Sequence, residues 1–327
     1  MSKDIIMNDE IEHIIPLKEF QELISSNTEQ IEQEKLIDKL IDSMKYAEAY
    51  VLLKKDHKIS ISKKKIFRDV CATHGVDEAQ YDFVLDYLNS GKDSDMPFVY
   101  LTRLCKNDYV SAYYYLAVCY INGYGCDKNP NIAIELLLKS FVFNSYPVEN
   151  LYLHFENLLS RYSDVEKGRN EFYGIGCEQN YNLAFHYLAS SFIYYRDPYV
   201  GCMLADMFLS GTGVAINKSV ALELYKRCLY LDSDYNYEDY YERKAELKIG
   251  MSLYDGVGTV RNRELATYFL GEVEEFYKKI DNPIPERYAD EINTAINLAN
   301  SLFREFGHDY AEEAEAWLDT KKEYAIP

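Results

Sequence analysis

Four short stretches of this 327-residue chain have the residue types of a phosphate cradle: Gly123-Tyr-Gly125, Gly174-Ile-Gly176, Gly211-Thr-Gly213 and Gly256-Val-Gly258. Closely spaced glycines let backbone N–H groups approach an anion at a helix start. A dinucleotide fingerprint also needs a strand before the turn and a third glycine three residues on. Lys128, Gln179, Ile216 and Arg261 stand at that third position, and no strand pattern precedes. The eight glycines therefore read as structural turns. Asp232, Asp234 and Asn236 match the first three ligands of a calcium loop, but Tyr237 and Arg243 replace its glycine and its glutamate. Cys71-Ala-Thr-His74 offers half a zinc site with no second pair at a matching spacing. The other histidines (His13, His57, His154, His186 and His308) are scattered, and carboxylate pairs discriminate nothing in a chain with 54 acidic residues. No catalytic residue, no metal site and no cofactor is expected.

The balance of 54 acidic against 35 basic residues gives a formal charge of −19. Nucleic-acid binders show a basic footprint and anionic membranes attract basic segments, so neither partner is expected. A protein partner with a basic or neutral surface fits better. The Lys63-Lys64-Lys65 run lies at the start of the first of two short helices, not on a recognition helix, which argues against a DNA-binding pair. Thirty-two tyrosines stand beside a single tryptophan; tyrosine suits inter-helix grooves and exposed contact faces alike. The seven cysteines are odd in number and irregular in spacing, as expected of reduced, mostly buried thiols. The first ten residues lack the apolar region of a secretory signal and no run reaches membrane-span length, so a cytoplasmic protein is expected.

The glycine turns must be placed by the elements around them. The first glycines stand 51, 37 and 45 residues apart (174−123, 211−174, 256−211), within the range of stacked supersecondary repeats. Before each turn runs a helix A: Ala112, Leu116, Ala117 and Tyr120; then Val200, Leu204, Ala205 and Phe208; then Ala245, Ile249, Gly250 and Leu253. The copy before Gly174 keeps only Gly168 and Tyr173. After each turn runs a helix B with Ala133, Ala184, Ala221 or Ala266 eight residues beyond the second glycine. Asn129, Asn217 and Asn262 are placed to cap helix B. Upstream, residues 1–14 read as a loosely docked arm, and Pro16 opens a short helix carrying Leu17, Phe20, Leu23 and Ile24. Asn27 with Gln30 resembles a capping box before one longer helix through Ile31, Ile37, Leu40, Ile41, Met44, Ala47 and Val51. Ser60 or Ser62 caps a helix that Gly75 ends, and Asp77 caps another that Gly91 closes. Phe98 to Cys105 is a helix of a worn repeat. An acidic, Tyr-rich insertion spans 232–244, and helices from Tyr288 to Phe306 and from Tyr310 to about Lys321 form a terminal cap.

The unit resembles the Sel1-like repeat, a relative of the tetratricopeptide repeat, over roughly residues 108 to 275. Its departures are Cys126 and Cys177 where valine is usual, Asn for Asp at the cap, and Ile132, Leu183, Val220 and Leu265 for the usual lysine. The resemblance implies an all-α, right-handed α-solenoid, with a helical module over 1–90, repeats over 91–281 and a cap over 282–327. A cysteine-rich branch linked to weak β-lactam hydrolysis carries regular intra-repeat cysteine pairs, which this chain lacks, so that activity is not transferred. The implied function is a non-enzymatic adaptor that holds a protein or peptide in a concave groove lined by helix A. The groove residues expected to bind it are Tyr115, Cys119 and Asn122; Met203, Met207 and Ser210; and Lys248, Ser252 and Asp255. The alternative, motivated by the charge, is a dedicated inhibitor or immunity-type binder of a basic protein.

Overall fold

The computed structural model describes residues 31–55, 59–90, 96–143, 148–231, 238–279, 289–307 and 310–319. The expected Pro16 helix, the Asn27–Gln30 capping box, Gly91, the Asp232–Tyr237 loop and Tyr288 lie outside them. The described residues form sixteen helices and no strand. None of these helices is long and apolar enough to cross a membrane. The chain divides between Asp127 and Lys128 into two compact units, a boundary that falls between the two helices of the first repeat.

The first unit is a succession of helices, each packed on the next: α1 (Ile31–Asp42), α2 (Tyr46–Lys55), α3 (Ile61–Thr73), α4 (Asp77–Ser90), α5 (Met96–Lys106) and α6 (Ala112–Asn122). The single helix expected over 31–51 is instead two. Met44 takes a left-handed backbone (φ 58°), and the Lys45 N–H reaches the Leu40 carbonyl at 2.7 Å. The break lets α2 rotate, so that Ala49, Tyr50 and Leu53 are buried while Val51 points to solvent. Ser60 caps α3 through its hydroxyl, and Gly75 follows the helix end at φ 84°. Asp77 lies inside the first turn of α4, where a carboxylate suits the positive end of the helix dipole.

The second unit holds α7 (Pro130–Val142), α8 (Val148–Tyr162), α9 (Val165–Tyr173), α10 (Tyr181–Tyr195), α11 (Pro198–Ser210), α12 (Lys218–Cys228), α13 (Glu238–Asp255), α14 (Arg263–Lys279), α15 (Ala289–Phe306) and α16 (Ala311–Asp319). Three pairs, α9/α10, α11/α12 and α13/α14, fold back on themselves at the glycine turns. Successive pairs meet through α10 with α11, α12 with α13, and α11 with α13. Ala184, Ala221 and Ala266 are fully buried at the helix-B positions where small residues allow close approach. Helix α8 has no counterpart in the other repeats. It packs on α7 and α10 and accounts for the long first spacing between glycine turns.

Candidate binding surface

Each glycine turn is built the same way. The first glycine ends helix A in a left-handed conformation, as Gly211 does at φ 74°, with its N–H and that of Thr212 both donating to the Met207 carbonyl. The turn then reaches an asparagine with two tasks. Asn217 donates its N–H to the Phe208 carbonyl of helix A (3.0 Å), while its side-chain oxygen accepts from the Val220 N–H of helix B (3.0 Å). Asn262 repeats both bonds with Leu253 and Leu265, and Asn180 does so with Glu171 and Leu183. Asn129 caps its helix through the Asn131 and Ile132 N–H groups. Asn180 went unrecognised in the sequence because the helix A before it lacks the repeat's apolar markers.

In two of the copies the second glycine joins neighbouring repeats. Gly213 sits against the first turn of α10, and Gly258 against the first turn of α12; a Cβ on either would collide with the backbone of Tyr181 or Lys218. Asn182 Nδ2 donates to the Gly213 carbonyl (3.3 Å), which turns its Oδ1 toward His186 Nε2 at 3.1 Å. The imidazole is buried, and desolvation holds its pKa below the ordinary value, so it is a neutral structural link.

The helix-A residues expected to line a groove fall into two groups. Cys119, Met203, Met207 and Ser252 are buried, which corrects their assignment as contact residues. The reason is geometric: α11 is flanked by α10, α12 and α13, so three of its sides are covered and only a narrow strip meets water. Tyr115 is half-buried, with its ring against Tyr81 and Tyr114 at 5.9 and 5.2 Å. Asn122, Ser210 and Asp255 are exposed. Asn122 donates to the Val118 carbonyl (3.0 Å), and Ser210 donates to the Asp206 carbonyl (2.8 Å). Lys248 is half-buried and bonded to Glu291 of α15.

That last pair belongs to an arrangement the sequence did not reveal. On α13, Lys244 and Lys248 stand one turn apart. Lys244 reaches back to Asp206 of α11 (2.6 Å), and Lys248 reaches forward to Glu291. Asp206 also accepts from the hydroxyl of buried Tyr225 (2.5 Å), and burial with this carboxylate pushes that hydroxyl well above its ordinary pKa. The lysine side chains are 16% and 22% exposed and their carboxylate partners 42% and 40%, so the row α11, α13, α15 turns its acids outward and its bases inward. A second ionic group lies on α13 and α14. Arg243 lies 2.7 Å from Glu246, 2.9 Å from Glu242 and 3.6 Å from Glu272. Burial pushes Glu246 up to about 8 against the pull of Arg243, with Glu242 and Glu272 adding to the rise.

Cys71 is buried, and His74 at the end of α3 stacks on Tyr46 at 3.9 Å. No group of three or more His, Cys, Asp or Glu that could hold a metal ion occurs among the described residues.

An all-α array of helical hairpins joined by paired glycine turns and asparagine caps defines a helical repeat protein. The family profile for the Sel1 repeat matches residues 110–140, 168–191, 202–227 and 243–271, so the chain carries Sel1 repeats at four positions. Such repeats generally serve as protein–protein interaction scaffolds. Among solved structures, a Sel1 repeat protein from Oxalobacter formigenes is 16% identical (TM-score 0.31, 88% of this chain and 98% of that one). A protective antigen present in uropathogenic Escherichia coli strains, displaying an SLR fold, is 14% identical (TM-score 0.28, 89% of this chain and 64% of that one). No curated protein matches the chain.

Proposed function

We propose that the chain is a non-enzymatic scaffold whose second unit binds a basic protein surface along the row α11, α13, α15. The observation that carries this reading is the sorting of charge within the row. The Asp206 and Glu291 side chains are 42% and 40% exposed, while Lys244 and Lys248, at 16% and 22%, hold them in place. Ser210 and Asp255 lie exposed on the same helices and extend the polar strip. Carboxylates fixed in this way are pre-ordered for a partner's Lys or Arg, and the net charge of −19 steers such a partner from a distance. Of the contact residues expected in the first unit, Tyr115 is half-buried and Asn122 exposed, and both remain within a partner's reach.

The test is affinity capture with the wild-type chain and with an Asp255→Lys/Glu291→Lys variant, eluting from about 50 to 500 mM salt. The expected result is partners that elute as salt rises and are lost from the variant. Partners retained equally by both chains at all salt concentrations would sink the reading.

A further inference from the structure

The repeat array of the second unit contains one joint that is not made. Where two repeats follow directly, the second glycine of a turn lies on the first turn of the preceding helix B. A side chain at the second position of that helix then closes the contact. Asn182 Nδ2 donates to the Gly213 carbonyl (3.3 Å), and the Ser219 hydroxyl donates to the Gly258 carbonyl (3.4 Å). By the same order the Gly176 turn belongs on the first turn of α7, which has Asn129 as its cap and Asn131 at its second position. The inserted helix α8 packs on α7 and α10 instead, and both halves of the joint are left open. A Cβ on Gly176 would meet nothing within 4 Å. Ile175, Gly176 and Cys177 are all exposed, whereas Thr212, Gly213 and Val214 are half-buried, as are Val257, Gly258 and Thr259. On α7, Asn131 is exposed and Ile132 is 36% exposed. The counterparts of Ile132 at the two closed joints, Leu183 and Val220, are half-buried and buried.

We propose that a second copy of this chain closes the joint: the Gly176 turn of one copy seats on the first turn of α7 of another, where Asn131 donates to the Gly176 carbonyl and Ile132 meets Ile175. The closed joints show what such a turn accepts. The Gly213 turn takes a helix end with asparagine at the cap and again two residues on, Asn180 and Asn182. Asn129 and Asn131 repeat that pair and have no turn of their own chain upon them. One such joint is small, so the association belongs to concentrated solution. Two copies of charge −19 repel at long range, so the joint should tighten as salt screens them. It lies off the α11, α13, α15 row, whose binding salt weakens, and does not depend on it.

The test is sedimentation velocity on the full chain from a few to several hundred micromolar. Gly176→Asn puts a side chain where the second copy's backbone would lie, and asparagine tolerates the left-handed conformation. Asn131→Asp/Ile132→Glu faces the Gly176 carbonyl with acceptors, and acids at a helix start suit the fold. Circular dichroism checks that both variants keep their helices. Should Gly176→Asn unfold, Ile175→Glu, at an exposed position, takes its place. The wild-type mass should rise with concentration, and more at about 300 mM salt than at about 50 mM. Each variant alone should associate at least about tenfold more weakly. An equimolar mixture of the two should regain a 1:1 complex, because each variant supplies the half that the other lacks. A wild-type chain that stays monomeric, a folded variant that associates as the wild type does, or a mixture that fails to associate would overturn the proposal.

Discussion

The second glycine of the repeat turn offers a sharp test, because the same residue type meets different surroundings in two copies. Gly176 and Gly213 have nearly equal φ, 73° and 74°, so alanine at either costs roughly the same 1–2 kcal/mol for a left-handed residue with a Cβ. At Gly176 a Cβ meets nothing within 4 Å. At Gly213 it would lie 2.5 Å from the Tyr181 carbonyl carbon and closer still to its oxygen. Carbon atoms pack comfortably at about 3.5–4.0 Å, so the turn must retreat by about 1 Å from α10. That retreat strains the Asn182–Gly213 bond and adds an overpacking cost of about 1–3 kcal/mol. Gly213→Ala should therefore lose about 2–5 kcal/mol and Gly176→Ala about 1–2. Gly258→Ala, whose Cβ would lie 2.7 Å from the Lys218 carbonyl carbon, should behave like Gly213→Ala. Urea titration followed by far-UV circular dichroism measures the loss. Because repeat arrays unfold by neighbouring units, amide exchange in α11 and α12 should be checked in parallel. Equal losses at Gly176 and Gly213 would refute the claim that this glycine seats one repeat on the next.

Three further outcomes follow from the cap, the buried carboxylate and the thiols. Asn180→Ala should cost about 1 kcal/mol in chemical denaturation through loss of the Leu183 N–H cap, and Asn180→Asp should recover most of it. Glu246 keeps its proton up to about 8 in the folded chain but loses it near 4.5 when unfolded, so between these values the folded state binds more protons and stability falls as pH rises. Glu246→Gln should flatten that fall in unfolding experiments from pH 5 to 8. Dithionitrobenzoate should label exposed Cys177 first and half-buried Cys105 and Cys126 more slowly. Cys71, Cys119, Cys202 and Cys228 should react only on unfolding, since burial raises the Cys71 and Cys119 thiols to about 12 and Cys228 well above its ordinary value.

What the sequence made legible was local. A left-handed glycine and an asparagine cap act over four or five residues, so Gly123 to Gly258 and Asn129, Asn217 and Asn262 could be placed without knowing the fold. The break at Met44 was hidden because a non-glycine residue took the left-handed conformation. Helix α8 was hidden because a repeat template has no slot for an extra helix, although Phe155 and Leu159, both buried, stand one helical turn apart. The surface was harder still. Met203 and Met207 look like outward positions on an isolated helix A, and only the arrival of α10, α12 and α13 on its sides buries them. Nor does any local pattern tie Lys248 to a glutamate 43 residues away.

The ionic row also limits what kind of partner it can hold. A basic side chain approaching Asp206 or Glu291 meets a carboxylate already paired with Lys244 or Lys248, not a free one. Binding there exchanges one partly exposed ion pair for another, and such pairs are worth about 0–1 kcal/mol. A single Lys or Arg on a partner therefore gains little. Useful affinity must come from several such exchanges made together, with apolar contact between them that no single carboxylate supplies. A basic surface long enough to span α11, α13 and α15 meets that requirement. A short peptide with one charge does not, and should show no measurable binding to this row.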